Sequence, residues 1–486
     1  MTLATDCTAY AAPPPDALPK SAVRHPLLRA FWVTLLAVCV VSLPNLTDPF
    51  IRHDDYPALF GEADLFWNKT LHEGRWLNYI WHLRGIETPA WLNFAVYQIL
   101  WALLAAALAV AAMGREGHPW FIAALSLFIL GSAPATLISL WFNTLIPGLA
   151  VVTLYAVLGC GLSQRSLRAL LPIFVIISFW AYPTYSLILL AVCLMRTRER
   201  SLGDLMGLVT LFICSFAVAV LLTYAVNWHV HGVFGVPLAD WRNAAPAGDL
   251  KGMITNLAVV KDTFELLLAV GSYNFLPAAY FHIGLLLIAT CVLIKRAPGE
   301  ALYLHAGLWV GMALMVLQAL KLGVVVPARA FSFAWLYYAV IVVRATALLS
   351  ESPTLAGRLM RNLTLLVALS YLLQTFLHYT QHRPWQAETS MVGATLREID
   401  PVIERPVLVY GDVLTLDSAK AAHLQSDLAL SFRMQQLTGH RVVLCHSAPK
   451  ACLEISDSRQ AEGLPAALKM EVQANRGKIL LKGPSM

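Results

Sequence analysis

The chain has 486 residues, of which 58% are apolar and only 13% are charged, with a mean hydropathy of +0.63 and a net charge of +6. About a quarter of the residues of a soluble globular protein are charged, so this composition excludes an ordinary soluble domain and indicates a polytopic membrane protein. The apolar runs approach the roughly 20 residues that a helical span needs, whereas a membrane β-barrel shows alternating segments of about 10 residues. We therefore predict an all-α membrane protein. Its surplus of basic residues marks loops between spans and does not indicate a nucleic-acid partner.

The N-terminal end is predicted to be a cytoplasmic leader, residues 1–26, followed by a first span at 27–46. The leader is rich in proline, and no small-residue cleavage site follows the apolar run, which favours a retained helix over a signal peptide. Basic residues flank spans on the cytoplasmic side, so the N-terminus is expected in the cytoplasm and the loop at 47–90 outside. Apolar residues at helical spacing over 58–82 indicate short helices on the membrane surface.

Ten further spans complete the predicted bundle. The segment 169–195 is predicted to be a helical hairpin with its turn at Ala181-Tyr182-Pro183, because both of its ends are basic and proline breaks helices. A second outer loop covers 227–268. Every cytoplasmic loop then carries Lys or Arg, and the odd total of about eleven spans places the C-terminal tail outside. The spans after the first lie at about 91–113, 119–133, 139–162, 169–195 (two arms), 204–226, 276–294, 301–320, 330–349 and 363–379.

The tail, residues 380–486, is predicted to form a small α/β domain outside the cytoplasm. Its patterns indicate strands at 406–412, 441–445 and 478–482 and a helix at 421–437. Cys445 and Cys452 lie in this polar tail. They can pair in an oxidising compartment or stay reduced, and both alternatives remain open.

A tandem acid pair, Asp54-Asp55, follows the first span directly. Acidic side chains at the membrane boundary lose hydration unless water reaches the site or a cation pairs with them. A glycosyl transfer needs a carboxylate that takes a proton from the acceptor hydroxyl, and a neighbouring acid can hold the acceptor or raise the pKa of the base. The alternative is a solvated pair at the start of the loop, beside Arg52 and His53. Three later acids of the loop are predicted to lie on a solvated surface: Glu62, Asp64 and Glu73.

Three cations on the outer side can bind a phosphate group: Arg75 in the first loop, and Lys321 and Arg329 before a late span. Guanidinium offers paired donors that match phosphate oxygens. The alternative is that these side chains extend to the membrane interface, which applies most to Lys321. No acid lies deep in a predicted span, and no phosphate-loop, hydrolase or metalloprotease motif is present in the sequence. An activated sugar is therefore expected to arrive through the membrane, on a polyprenyl phosphate.

This combination resembles the GT-C superfamily of polyprenyl-phosphate-sugar-dependent glycosyltransferases, and is most similar to the bacterial glucosyltransferases that modify O-antigen. The resemblance is carried by Asp54-Asp55-Tyr56 and Glu73-Gly74-Arg75, with support from Tyr182-Pro183 and Pro327-Ala328-Arg329. It covers the order of elements over residues 1–380, and its motifs are short. The chain lacks the W-W-D-type motif of oligosaccharyltransferases, which argues against transfer of a whole glycan to protein.

The resemblance implies an inverting hexosyltransferase of the bacterial inner membrane. It would move a sugar, with glucose as the first candidate, from polyprenyl phosphate to a lipid-linked or surface polysaccharide such as O-antigen at the periplasmic face. No cofactor is implied, although a divalent metal at the acid pair stays open. The rival functions are a lipid-glycan flippase or transporter without chemistry, and a polysaccharide polymerase or ligase. The site residues implied are Asp54 or Asp55 as base, with Asp55 preferred, and Arg75, Arg329, Lys321, Tyr56 and Tyr182 as substrate-binding residues.

Overall fold

A computed structural model describes residues 20–114, 116–462, 464–473 and 478–482, and it is 75% helical. Most of the predicted leader, residues 1–19, lies outside the described residues. Within the described residues, eight helices are long and apolar enough to cross a membrane, by length and composition. The chain is an α-helical membrane protein with a small sheet near its C-terminus, as its composition and strand patterns predict.

The first helix, α1 (Lys20–Leu46), leads into a loop that contains several short helices. A 3₁₀ turn at His53–Asp55 comes first, and the helices predicted over 58–82 follow it. They are α2 (Tyr56–Leu59), α3 (Ala63–Glu73) and α4 (Trp76–His82). The remaining helices of the bundle are α5 (Ala90–Met113), α6 (Pro119–Leu130), α7 (Ala133–Ile138), α8 (Phe142–Gly161), α9 (Gln164–Phe179), α10 (Tyr185–Arg196), α11 (Leu202–His231), α12 (Leu250–Thr255), α13 (Leu257–Gly271), α14 (Leu276–Arg296), α15 (Pro298–Leu322), α16 (Ser332–Leu349) and α17 (Leu355–Thr380).

Eight of the predicted spans coincide with the eight long apolar helices. The others correspond to shorter helices: α6 has 12 residues, and the arms of the predicted hairpin have 16 and 12. The helix break of that hairpin is confirmed, because α9 ends at Phe179 and α10 begins at Tyr185. Pro183, in the turn between them, has no N–H with which to continue a helix. The total of eleven spans and their orientation stay predictions.

Helix α5 lies at the centre of the bundle. From Leu104 to Val110 each of its side chains is at most 1% exposed. It packs against α1, α6 and α8. A helix that is apolar all round and rich in alanine is suited to such a position, because small side chains let neighbouring helices approach closely.

Two glycines one helical turn apart allow close contact between α15 and α16. A Cβ atom at Gly307 would overlap the Tyr337 hydroxyl, and one at Gly311 would overlap the Phe333 ring. Both aromatic side chains are fully buried. Small residues four apart are a common means of close helix packing in membranes, where the lipid is as apolar as the helices and packing contacts decide association.

The C-terminal domain is built on a four-stranded sheet with the order β2-β1-β3-β4. Strand β1 pairs in parallel with β2 and β3, and β4 is antiparallel to β3. The elements of the domain are α18 (Arg383–Ile399), β1 (Val407–Tyr410), α19 (Asp417–Ala421), α20 (Leu428–Thr438), β2 (Val442–Leu444), α21 (Pro449–Ala461), β3 (Leu468–Gln473) and β4 (Lys478–Lys482).

The three predicted strands of this domain are confirmed, but the helix predicted at 421–437 is wrong in its first half. Helix α20 begins only at Leu428, and His423 before it has a left-handed backbone with φ of 49°, which interrupts a helix. Strand β3 and helices α18, α19 and α21 were not predicted. Cys445 and Cys452 form a disulfide that joins the end of β2 to α21. Of the two alternatives, a disulfide or a reduced pair, the structure has the disulfide.

The glycine contact leads to a stability prediction. Replacing Gly311 with alanine inserts a methyl group into the packed interface of α15 and α16, and overpacking of this kind costs about 1–3 kcal/mol. We expect a lower thermal unfolding midpoint in detergent for Gly311→Ala. The control is Gly284→Ala in α14, where nothing lies within 4 Å of the added Cβ and the better helix propensity of alanine should leave the midpoint unchanged or raise it. Equal midpoints for the two variants would contradict the close contact.

Candidate active site

Asp55 is buried and caps the N-terminal end of α8. Its carboxylate oxygens accept hydrogen bonds from the backbone N–H groups of Asn143 (3.0 Å) and Thr144 (2.8 Å) and from the Asn143 side chain (2.9 Å). The first N–H groups of a helix have no partner within the helix, and the helix dipole favours a carboxylate at this end. Burial raises the pKa of Asp55 to about 7, although these hydrogen bonds oppose the shift. Asp55 thus joins the first loop to the bundle, with its oxygens bound by protein donors.

Asp54 has a different environment, because its side chain is 39% exposed and lies among charged groups. Lys69 Nζ lies 3.6 Å from its Oδ2 atom and donates a hydrogen bond to its backbone oxygen at 2.7 Å. Trp141 donates its Nε1–H to Oδ1 at 2.6 Å. Burial opposes ionisation, but Lys69, His53 and the hydrogen bond from Trp141 outweigh it and hold the pKa of Asp54 below its usual range. A partly exposed, ionised carboxylate therefore follows the first candidate span.

Trp141 connects Asp54 to two arginines. The guanidinium carbons of Arg52 and Arg329 lie 5.5 Å and 4.4 Å from the centroid of its ring, distances at which a cation is attracted to an aromatic face. Burial lowers the pKa of Arg52 to about 10; Asp54 opposes this shift and Arg329 adds to it. The structure therefore brings Arg329, from the 3₁₀ turn Ala328–Phe331, together with the acid pair around one tryptophan.

Glu73 joins two arginines that belong to different loops. Its Oε2 atom lies 2.6 Å from Arg75 Nε, and its Oε1 atom lies 3.4 Å from Arg242 Nη2. Its side chain is only 16% exposed, so the prediction of a solvated surface acid is wrong for Glu73. Burial opposes ionisation, but Arg75, Lys69 and Arg242 together hold the pKa of Glu73 below its usual range. The Arg75 guanidinium also lies 5.5 Å from the ring of Tyr182, so the turn between α9 and α10 contacts this group of charges.

Gly74 makes the turn between these two charged residues possible. It ends α3 with φ of 67°, in the left-handed region that favours glycine. A Cβ atom here would also lie 2.8 Å from the methyl group of Thr223 on α11. The turn therefore packs closely on α11 and directs Glu73 and Arg75 to the same cluster.

Two residues that were predicted to bind substrate make other contacts. Tyr56 is 2% exposed and stacks on Phe432 of α20, with ring centroids 5.6 Å apart. Lys321 donates its Nζ–H to the backbone oxygen of Ala247 at 2.6 Å and accepts the Ala247 N–H at 2.8 Å through its own backbone oxygen. Tyr56 thus packs against the C-terminal domain, and Lys321 holds the loop at 227–268 to α15. We remove both from the candidate site.

Cations outnumber carboxylates in this cluster. Five of its side chains are basic and three are acidic, and the excess remains when Asp55 is ionised. Such an excess attracts an anion, and guanidinium groups suit the oxygens of a phosphate. No group of three or more His, Cys, Asp or Glu side chains in the described part of the chain is arranged to hold a metal ion. The basic members are Arg52, Lys69, Arg75, Arg242 and Arg329, and the acidic members are Asp54, Asp55 and Glu73.

Sequence reasoning missed three members of the cluster: Lys69, Trp141 and Arg242. Trp141 lies in an apolar run and reads as a core residue, since hydropathy does not show where an indole N–H points. Asn143 could have indicated that a helix begins directly after Trp141, because a polar residue near the start of a span often marks the first turn of a helix. Lys69 and Arg242 carry no local signal, as their partners are defined only by the folded loops.

No protein-family model matches the chain, and neither does any curated protein sequence. What the site can do therefore follows from its own residues.

The contrast between the two acids leads to a prediction about stability. Asp55→Asn turns an amide N–H₂ group toward the N–H donors of α8, and buried donors without an acceptor cost about 1–3 kcal/mol each. Asp54→Asn can still accept the hydrogen bond from Trp141 and is partly exposed. We expect the thermal unfolding midpoint in detergent to fall for Asp55→Asn and to stay near the native value for Asp54→Asn. A fall of the same size in both would show that Asp55 is not the helix cap.

Proposed function

We propose that this protein is a membrane glycosyltransferase that moves a sugar from a polyprenyl phosphate carrier to a lipid-linked or surface polysaccharide. The observation that supports it best is Asp54, an ionised and partly exposed carboxylate directly beyond the first candidate span and beside a surplus of cations. Transfer from a lipid phosphate needs a base for the acceptor hydroxyl and positive charge for the phosphate that leaves. A lipid-bound donor also accounts for the location of such a site in a helical membrane protein.

Asp54 is the base in this proposal. A base must come within hydrogen-bond reach of the proton that it takes, and geometry has precedence over pKa. The pKa of Asp55, about 7, would suit a base, but its oxygens are bound by the N-terminal end of α8 and the side chain is buried. Asp54 offers a partly exposed carboxylate instead. The preference for Asp55 that came with the family resemblance is therefore reversed.

In the reaction the acceptor hydroxyl gives its proton to Asp54 while its oxygen attacks the anomeric carbon of the sugar. The bond between that carbon and the phosphate oxygen breaks, and polyprenyl phosphate leaves with the electron pair. A single displacement of this kind inverts the anomeric centre. Arg329 binds the phosphate of the donor and stabilises its charge as it leaves, because its guanidinium rests on Trp141 and, unlike those of Arg75 and Arg242, forms no ion pair with a described carboxylate.

The proposed setting is the bacterial inner membrane, with the N-terminus in the cytoplasm and the site and C-terminal domain in the periplasm. The distribution of Lys and Arg among the loops supports this orientation. The disulfide between Cys445 and Cys452 supports it independently, since disulfides persist in oxidising compartments such as the periplasm. Glucose is the first sugar to test.

The first test measures transfer itself. Purified protein in lipid is given radiolabelled polyprenyl phosphate glucose and a lipid-linked glycan extract, and both labelled glycan and released polyprenyl phosphate are measured. We expect Asp54→Asn to lower kcat by about 10²- to 10⁴-fold, because the general base is lost. Asp64→Asn, an exposed acid of the same loop, is the matched control and should keep the native rate. An undiminished rate in Asp54→Asn would overturn the assignment, and glycan movement without label transfer would favour a flippase.

A second test concerns the phosphate. Arg329→Gln removes a charge-assisted hydrogen bond of about 1.5–3 kcal/mol, so we expect KM for the polyprenyl phosphate sugar to rise by roughly 10- to 100-fold. Lys321→Gln is the matched control, because Lys321 is bound to Ala247 and should not contact the donor. Its KM should remain within about twofold of the native value. Equal KM changes in both variants would argue against a specific role for Arg329 and for a general effect of surface charge.

A further inference from the structure

A buried arginine of the C-terminal domain binds the start of the first loop. Arg433 of α20 is 2% exposed, and its Nη2 lies 2.5 Å from Asp48 Oδ2. The other nitrogens of the guanidinium are held within the domain, by Gln436 at 2.9 Å and Thr389 at 3.3 Å. The planar guanidinium thus has a fixed orientation in which one nitrogen is presented to the loop. Asp48 is 38% exposed and lies six residues before Asp54.

Further contacts with the same domain lie on both sides of the acid pair. Before it, the Arg52 guanidinium donates a hydrogen bond from Nη1 to the backbone oxygen of His423 at 2.8 Å. After it, Tyr56 stacks on Phe432. The Gln386 side chain, from α18, also donates to Asn45 Oδ1 at 3.0 Å. The segment from 45 to 56 is therefore held by the domain at several points, with Asp54 between them.

One of these contacts continues to Asp54 itself. Arg52, fixed by His423, lies against the ring of Trp141, and Trp141 donates its N–H to the Asp54 carboxylate. A base has to be held close to its working geometry, and a displacement of about 1 Å can lower a rate by 10²-fold. Residues that contact no substrate can therefore determine the rate when they fix the loop that carries the base.

We infer that the C-terminal domain serves as a clamp on the first loop, which carries the proposed base, and that Asp48 and Arg433 are positioning residues for Asp54. This inference rests on the proposed function. The domain contributes its buried arginine and the His423 carbonyl, while the cations that bind the donor phosphate belong to the bundle and its loops. Loss of the clamp should therefore change kcat and leave KM for the donor nearly unchanged.

The test uses Asp48→Asn in the full-length protein in lipid, because Asp48 is partly exposed and lies in the first loop, outside the C-terminal domain. Amide hydrogen exchange over residues 47–60 should become faster by on the order of tenfold, since exchange reports local opening. Transfer should show kcat lower by about 10- to 100-fold with KM within about twofold. Asp48→Glu, which keeps the carboxylate, should restore much of the native protection from exchange and much of the native kcat. Asp417→Asn, which breaks an exposed ion pair with Lys420 inside the domain, is the control and should change neither.

The two readouts separate failure of the clamp from failure of the proposed function. Unchanged exchange over 47–60 in Asp48→Asn would overturn the clamp whatever the protein catalyses. Faster exchange with native kcat would overturn the positioning role, because the loop would then be free without effect on the reaction. Faster exchange in a protein that transfers no sugar from any polyprenyl phosphate donor would leave the clamp in place and overturn the transferase.

Discussion

The arrangement of the site depends on a carboxylate at the N-terminal end of a helix. Asp55 satisfies two backbone N–H groups of α8 and an amide of Asn143, so the first loop is attached to the bundle at the residue next to Asp54. The Asp55 side chain is turned inward, whereas the neighbouring Asp54 side chain is 39% exposed at the surface of the loop. Trp141, directly before α8, lies where it can donate to Asp54. One capping interaction thus fixes the location of the exposed acid and the tryptophan that binds it.

The basic side chains around Asp54 form two groups, which differ in whether a carboxylate pairs with them. Glu73 forms ion pairs with both Arg75 and Arg242 in a partly buried network, whereas Arg52 and Arg329 rest on Trp141 and form no ion pair among the residues that the structure describes. Two guanidinium groups near one ring repel each other, which an anion between or beside them would relieve. The loops therefore hold positive charge in an arrangement that a bound anion would stabilise.

The features that could be predicted from the sequence are those that depend on residues close together in the chain. Periodicity over one or two turns is local, so the long apolar helices, the loop helices and the break at Pro183 could be predicted. The helix at 421–437 failed because its pattern continues through His423, whose left-handed backbone depends on its surroundings in the fold. Trp141 and Asp54 are separated by 87 positions, and the local sequence around either residue does not indicate that the two are in contact. The acid pair could be singled out by position alone, but which acid is exposed required the structure.

The contact between Arg433 and Asp48 joins residues 385 positions apart in the chain. Synthesis proceeds at about 5–20 residues per second, so roughly 20–80 s pass between the appearance of the first partner and the second. During that time α1 and its loop can insert, yet the loop has no domain to bind. The order of biosynthesis therefore delays completion of the site until nearly the whole chain exists, and a chain that stops early carries Asp54 on a loop that nothing from the C-terminal side holds.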